Sequence, residues 1–268
     1  MGVRYGYCTN FASSMTGPVS FPLLEDILAA GYDYAEFPLT QIVALSDGAF
    51  ADLAGWLERN GLGADCVCNM FRPSVRLTGP KADQARTAAY LKPALARLKR
   101  LGTKKIVLGS SAARDLPPGV PEEEGYRQMT GLLEEVVIPL LEEYDMMVVV
   151  EPISRCEANF ICTLPEGMEL VHRVGHPRVR LLADTIHMMR EGEGAESLSQ
   201  YQPWLEHVHV SELGRSLPVW EHSPALSALL CELRRVGPPD TVSFESGSAP
   251  KEDMVVALSR LRSVLEDM

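Results

Sequence analysis

Short apolar runs alternate with helical segments along the whole of this 268-residue sequence. The apolar runs are typical of β-strands, and several of the helical segments are followed by glycine, as expected where a helix ends. We predict strands at Tyr5–Phe11, Tyr34–Pro38, Ala64–Phe71, Lys105–Gly109, Met146–Val150, Arg180–Thr185, His207–Ser211 and Thr241–Glu245. Eight such units favour a (β/α)8 TIM barrel over the alternative, an open doubly wound sheet.

Predicted helices separate most of these strands. They cover Phe21–Ala30, Asp47–Asn60, Lys81–Leu101, Glu122–Tyr144, Glu166–Val174, Ser223–Val236 and Lys251–Asp267. No linker, low-complexity segment or change of composition divides the units. We therefore expect residues 1–268 to form a single domain.

The sequence carries a formal net charge of −11. Nucleic acids and anionic membranes are bound by clustered lysine and arginine, so this charge argues against both as partners. It leaves open a small anionic substrate held by one or two arginines. No apolar run approaches a membrane span, and residues 1–11 lack the pattern of a secretory signal.

Six cysteines are present, and none belongs to a C-x-x-C pair. In a chain of this size without a predicted signal peptide, we expect reduced cysteines and a cytoplasmic protein. The outer helices of such barrels often pair, which leaves a homo-oligomer open.

The fifth strand ends on the most informative residue of the sequence. Met146–Val150 is an uninterrupted apolar run, typical of a strand buried on both faces of a parallel sheet. Glu151 follows, and Pro152 should end the strand because proline cannot donate to the sheet. Parallel α/β folds place their ligands at the carboxyl ends of strands, and a charge buried there needs a partner or a metal.

Three more polar groups lie at the ends of the last strands. After Glu151, the residues Asp184, His209 and Glu245 follow at intervals of 33, 25 and 36 residues, about one strand–helix unit each. Any one of them alone is compatible with a solvent-facing or helix-capping residue. Their common spacing favours a metal site, and the mostly oxygen ligand set suits Mn²⁺ or Mg²⁺, with Co²⁺ or Zn²⁺ as alternatives.

Further ionisable residues follow three of these four positions. His187 lies three residues after the aspartate, Arg215 six after the histidine, and Glu157 six after the first glutamate. Arg215 would place a cation above the site. Glu157 and Arg215 are equally compatible with solvated loop charges.

The remaining histidines have different predicted roles. His207 shares a strand face with His209, which lies nearer the carboxyl end and is the better ligand candidate. His172, His176 and His222 have no comparable placement, so we predict structural or surface roles for them.

Several segments carry a resemblance to a known family. They are EPISRCEANF (151–160), DTIHM (184–188), HVHVSELGR (207–215), FESG (244–247) and LTGP (77–80). They resemble the xylose isomerase-like TIM barrels, and within these the ketose 3-epimerases of the D-tagatose and D-psicose (allulose) 3-epimerase type. The resemblance covers almost the whole chain, with its most specific motifs in the C-terminal half.

The resemblance implies roles for nine residues. Glu151, Asp184, His209 and Glu245 would bind one divalent metal, and the two glutamates would also be the catalytic acid and base. Substrate-binding roles are implied for five others. Glu157, His187 and Arg215 would bind oxygens near the carbonyl end of a sugar, Cys66 would face its far end, and Tyr7 would place an aromatic ring near it.

Epimerisation beside a ketone removes a weakly acidic C–H proton and returns one to the other face. A divalent metal on the ketone oxygen stabilises the enediolate, and two carboxylates on opposite faces serve as base and acid. The same groups serve an aldose–ketose isomerase or an inosose-type dehydratase. Both remain alternatives to a ketose 3-epimerase.

The loop after the fourth strand, GSSAARDLPPG (109–119), departs from the epimerase pattern because it lacks tryptophan. With Arg114, this loop resembles that of uncharacterised sugar phosphate isomerase/epimerase relatives, which leaves the sugar and its phosphorylation open. Replacing Ala112 and Ala113 is therefore expected to alter substrate preference more than metal content.

Two other classes of protein fit the sequence less well. A DNA-repair endonuclease on this barrel would need more histidine ligands after the third and fourth strands, where NMFRP and LGSSAARD contain none. A barrel that only binds a sugar or a metal would not need both proton-transfer glutamates. We therefore predict an enzyme of the isomerase class.

Overall fold

Eight parallel strands form a closed barrel in chain order in the computed structural model, which describes residues 2–13, 15–218 and 223–266. The strands are β1 (Arg4–Cys8), β2 (Tyr34–Pro38), β3 (Cys66–Cys68), β4 (Lys105–Leu108), β5 (Met147–Val150), β6 (Val179–Asp184), β7 (Leu205–Val210) and β8 (Thr241–Phe244). The predicted TIM barrel is confirmed. The alternative of an open sheet is wrong, because β1 pairs with β8.

Helices surround the barrel. They are α1 (Phe21–Ala29), α2 (Leu39–Ala44), α3 (Asp47–Asn60), α4 (Gln84–Leu101), α5 (Ser111–Arg114), α6 (Glu122–Leu132), α7 (Ile138–Tyr144), α8 (Leu164–Val174), α9 (Thr185–Glu191), α10 (Glu196–Tyr201), α11 (Pro224–Val236) and α12 (Lys251–Glu266). A π-helical segment, Leu133–Val137, joins α6 to α7, and a 3-10 turn, Gln202–Trp204, follows α10.

Local signals set the ends of these elements. Ser46 and Asp83 accept backbone hydrogen bonds in the first turns of α3 and α4, and Gly61 and Gly102 end the same helices in the left-handed conformation. Strand β3 is shorter than predicted because Asn69, with φ of 46°, turns the chain out of the sheet. The short helices α2, α5, α9 and α10 were not predicted.

The hydrophobic core lies mainly between the strands and the helices. Helix α8 buries Met168 and Val171, and α11 buries Leu229 and Leu233, so one face of each helix is apolar. A smaller cluster consists of Cys68, Val107, Val149 and Leu182.

The barrel interior also contains a polar layer. The hydroxyl of Tyr34 lies 2.8 Å from Ser243 Oγ, and Ser243 donates to Glu36 Oε2 at 2.6 Å. Gly6 leaves room for the tyrosine ring, because a Cβ there would lie 2.1 Å from a ring carbon. Buried polar groups need hydrogen-bond partners, and this layer extends upward to the rim of the barrel.

His172 packs edge to face on Trp204 with ring centroids 5.4 Å apart, and His176 Nε2 lies 3.5 Å from Glu142 Oε1. Both contacts agree with structural or surface roles. His222 lies outside the described residues. No helix in the described part of the chain is long and apolar enough to cross a membrane, and the six cysteines are free thiols.

Glu193 gives the fold a measurable pH dependence. Its Oε1 accepts a hydrogen bond from the backbone N–H of Leu164, and burial raises the pKa of its carboxyl to about 7. A carboxyl whose pKa is raised on folding destabilises the fold once it ionises. We expect the melting temperature of wild type to fall relative to Glu193→Gln between pH 5 and pH 8. A constant difference in melting temperature between the two proteins across that range would contradict this.

Candidate metal and sugar site

The last four strands bring four predicted ligands together at the carboxyl end of the barrel. Glu151 and Glu245 directly follow β5 and β8, Asp184 ends β6, and His209 lies in β7. All four are buried, and one ligand atom from each lies within 4.8 Å of the others. His209 Nδ1 faces the cluster, 3.3 Å from Glu151 Oε1 and 3.8 Å from Glu245 Oε1.

The charge of this cluster is unbalanced. Burial and the two neighbouring glutamates raise the pKa of Asp184 well above its usual range, and burial raises the pKa of Glu151. Asp184 Oδ2 is buried and has no hydrogen-bond partner among the described residues. A cation at this point would satisfy that oxygen and reduce the repulsion, so the donor set fits a hard divalent metal.

Glu245 is held by two donors from other loops. Asn10 Nδ2 donates to Oε1 at 2.7 Å, and Arg215 Nη1 donates to Oε2. Burial opposes ionisation of Glu245, but His209 and Arg215 outweigh it and hold its pKa below the usual range. Asn10 was not predicted, because it lies in the loop after β1 and reaches the site only through the closure of the barrel.

Arg215 connects the cluster with the predicted sugar-binding residues. Its Nη2 lies 3.2 Å from Glu157 Oε2 and 3.3 Å from His187 Nε2, and its guanidinium stacks 4.2 Å above the ring of Phe11. Glu157 also pairs with Arg190. The structure therefore brings the predicted trio of Glu157, His187 and Arg215 to one edge of the cluster.

A hydrogen-bond donor faces each ring nitrogen of His187. The backbone N–H of Ser154 lies 3.2 Å from Nδ1, and Arg215 Nη2, which can only donate, lies 3.3 Å from Nε2. Burial lowers the pKa of the ring to about 3, so the ring is neutral. Its Nε2 faces the metal cluster, 3.6 Å from Asp184 Oδ2.

Glu36 is a buried carboxylate of the site that the sequence analysis missed. Its Oε1 lies 3.1 Å from His209 Nε2, and its Oε2 lies 3.1 Å from His207 Nε2. Burial opposes its ionisation, but the two imidazoles hold its pKa well below the usual range. With Nε2–H of His209 donated to Glu36, the lone pair of Nδ1 faces the cluster.

Two residues that were predicted to contact a substrate are fully buried. Tyr7 is fully buried on the outer face of β1, where its hydroxyl donates to the carbonyl of Gly247 at 2.8 Å and its ring packs on Tyr32. Neighbouring Cys8 points inward instead, with Sγ 3.8 Å from His209 Nε2. Cys66 is also fully buried, one layer below the rim and 3.9 Å from His207 Nδ1. The substrate contacts of Tyr7 and Cys66 stay predictions.

Arg114 has a structural position. Its guanidinium is fully buried and donates to the carbonyls of Leu108 at 2.8 Å and Ile161 at 2.9 Å. It is therefore not available to bind a substrate, and the likeness of its loop to those of sugar phosphate enzymes does not make it an anion ligand.

Gly109 leaves space for one predicted ligand. A Cβ at this position would lie 2.1 Å from Glu151 Oε2, so the glutamate would have to move. Gly109→Ala is expected to weaken Mn²⁺ binding about tenfold or more, measured by calorimetry. The matched control is Gly48→Ala, whose added Cβ meets no atom within 4 Å. Equal affinity in both variants would contradict the expectation.

The fold and this site define a family. The model of the xylose isomerase-like TIM barrel family matches residues 24–264, and the chain belongs to that family. The predicted resemblance is confirmed.

Individual relatives are consistent with this assignment. The D-psicose 3-epimerase of Agrobacterium fabrum is 23% identical over 221 residues, which cover 81% of this chain and 74% of the relative. The crystal structure of a D-psicose 3-epimerase with D-fructose has a TM-score of 0.84 and 20% identity, and covers 98% of this chain and 99% of its own. That of the IOLI protein with a zinc atom has a TM-score of 0.73 and 18% identity, with 99% of both chains covered. The names of the epimerases support the prediction of an isomerase enzyme.

Proposed function

We propose that Glu151, Asp184, His209 and Glu245 bind one divalent metal, Mn²⁺ or Mg²⁺ first, with Co²⁺ and Zn²⁺ as alternatives. The observation that supports this most directly is the buried Asp184 Oδ2, which lacks a hydrogen bond among the described residues and lies in a set of four converging ligand atoms. The metal would supply a Lewis acid that stabilises negative charge on neighbouring substrate oxygens.

We further propose that the enzyme is a ketose 3-epimerase. Glu151 and Glu245 follow β5 and β8 and approach the cluster from different sides, as an acid and a base acting on opposite faces of one carbon must. Asn10 and Arg215 hold both oxygens of Glu245 and so fix its orientation toward the substrate. One glutamate would remove the proton beside the ketone, and the other would return a proton to the opposite face.

The neighbouring trio would orient the sugar. His187 offers the ring nitrogen Nε2, Arg215 offers guanidinium N–H groups, and Glu157 offers carboxylate oxygens as acceptors. Such donors near the ketone would also stabilise the negative charge that develops when the proton is removed. Aldose–ketose isomerisation and inosose dehydration remain as outcomes that product analysis distinguishes.

Glu36 would act as a positioning residue for the metal ligand His209. Replacement by glutamine removes the charge that holds the imidazole, and we expect Mn²⁺ affinity to fall about 10–100-fold. Calorimetry with Mn²⁺ checks this, with circular dichroism as the test of folding. Glu36→Asp, which keeps the charge, should retain more affinity than Glu36→Gln. The role is contradicted if all three proteins bind Mn²⁺ equally.

We also propose that residues 1–268 form one domain, because the first and last strands of the barrel pair with each other. A cytoplasmic location agrees with six free cysteines.

Product analysis tests the proposed reaction. Metal-loaded protein is incubated with D-fructose, D-tagatose, L-ribulose and inosose, and the products are separated by chromatography. A C3 epimer supports the proposal, whereas an aldose or a dehydrated product assigns one of the two alternatives. No product from any of them with stoichiometric Mn²⁺ bound argues for a binding role.

A further inference from the structure

A cavity of about 170 Å³ lies among loops at the carboxyl end of the barrel, the end that carries the predicted metal cluster. It is lined by the segments that follow β3 and β4, residues 69 and 71–73 and residues 110–113, together with Thr40 and Met15. No aspartate or glutamate lines it among the described residues, although the chain as a whole has a net charge of −11.

Two residues of the cavity wall, Ser110 and Asn69, are chain neighbours of residues that lie close to the cluster. Ser110 in its wall follows Gly109, whose Cα faces Glu151 Oε2. On the other side, Asn69 Nδ2 lies 3.8 Å from Cys68 Sγ, and Cys68 hydrogen-bonds Cys8 at the foot of the cluster. A sugar with its reacting carbons at the cluster would therefore direct its far end into the cavity.

Arg72 gives the cavity an uncompensated positive charge. Its guanidinium makes one long hydrogen bond, from Nη2 to the carbonyl of Thr40 at 3.4 Å. Its Nε is buried without a hydrogen bond, and the arginine has no carboxylate partner within the part of the chain that the structure describes. Arg215 and Arg190, in contrast, both pair with carboxylates. A buried donor of this kind usually marks a missing acceptor.

Two residues that line the cavity with Arg72 have a strained backbone. Asn69 and Ser110 have φ of 46° and 33°, which residues other than glycine rarely adopt. Ser110 Oγ accepts the backbone N–H of Phe71 at 2.9 Å and so ties the two walls together. Strain of this kind persists at ligand sites, where the surrounding structure holds it.

We propose that this cavity binds an anionic group, a phosphate or a carboxylate, at the end of the sugar remote from the reacting carbons. Arg72 is the cation that recognises it, and the small side chains of Ala112 and Ala113 leave the space. This inference rests on the proposed function of the neighbouring cluster. It narrows the substrate class from ketoses in general to acidic ketoses or ketose phosphates.

Matched substrates test the proposal. D-Fructose, D-fructose 6-phosphate and D-fructuronate differ at one end, as hydroxyl, phosphate and carboxylate. We expect wild type with Mn²⁺ to show kcat/KM about tenfold to hundredfold higher for one anionic member than for D-fructose. The anionic substrate with the larger kcat/KM, phosphate or carboxylate, identifies the anionic group of the natural substrate.

Variants test whether Arg72 causes the preference for an anionic over a neutral substrate. Arg72→Gln should reduce the ratio of anionic to neutral kcat/KM towards one, and Arg72→Lys should restore part of it. Arg59→Gln, at an exposed arginine of α3, is the charge-matched control and should keep the wild-type ratio. Equal kcat/KM for all three substrates in wild type, or an unchanged ratio in Arg72→Gln, would overturn the inference while leaving the proposed epimerase intact.

Calorimetric titration with D-fructose 6-phosphate and D-fructuronate separates this inference from the function on which it rests. If no substrate turns over, the proposed function fails. The titrations then test only whether the cavity binds an anion. Binding by wild type that Arg72→Gln weakens about tenfold or more supports the anion site. No binding of either anion, or equal binding by both proteins, rejects it.

Discussion

Replacing Glu245 by glutamine is expected to lower kcat by about 10²–10⁴-fold, because an acid–base group positioned at the reacting proton contributes that much. Glutamine has nearly the same shape, so the barrel should keep its fold. Asn10 and Arg215 hold the native carboxylate in one orientation, and the amide cannot take up the proton. Turnover of D-tagatose under saturating Mn²⁺ measures the effect.

The control for this variant is Glu232→Gln, which removes an equal charge from a carboxylate paired with Arg235 on the outer surface of α11. It should retain wild-type turnover. Circular dichroism and melting curves show whether both variants are folded. Wild-type kcat in folded Glu245→Gln would contradict the proposed acid–base role.

Replacing Asp184 by asparagine is expected to stabilise the metal-free protein and to remove most of the stabilisation that metal gives. In wild type, the buried carboxylates repel one another without a cation, and Mn²⁺ at about 100 times its Kd should stabilise the fold by about 2.7 kcal/mol. Asparagine can still accept the hydrogen bond from the N–H of Ile186 that begins α9. The variant should therefore melt higher than wild type without metal and should gain little from Mn²⁺.

Melting curves with chelator and with Mn²⁺ measure both parts of this prediction. Asp52→Asn, an exposed change in α3, is the matched control and should respond to Mn²⁺ like wild type. The metal site is contradicted if chelator and Mn²⁺ give the same melting temperature in wild type, or if Asp184→Asn responds as strongly as wild type does.

Residues whose role depends on the strand–helix repeat were predictable from sequence. Glu151, Asp184, His209 and Glu245 each occupy the end of a strand, and a parallel barrel brings such ends to one rim. The apolar run before Glu151 already requires a buried strand. The period of the repeat was therefore sufficient to bring these four groups together.

The depth and the direction of single side chains could not be predicted from the sequence. Successive side chains along β1 point to opposite faces, so that Cys8 faces inward and Tyr7 faces outward. An apolar run alone does not show which of the two faces the barrel interior. Cys66 lies one layer below the rim.

The sequence around Glu36 contains a signal of its burial. It is a carboxylate within the apolar segment YAEFP, and such a charge in a buried strand requires partners. Those partners, His207 and His209, come from β7 and meet β2 only across the closed barrel. The contact therefore follows from tertiary structure and not from local sequence.

Proton exchange with solvent tests the central claim most directly. Metal-loaded protein in D₂O is followed by NMR with D-fructose, D-tagatose, inosose and D-fructose 6-phosphate. The proposed epimerase predicts metal-dependent deuterium at C3 together with the C3 epimer, and both should disappear in Glu245→Gln. Absence of exchange in every substrate, with Mn²⁺ bound stoichiometrically, would contradict proton abstraction at this site.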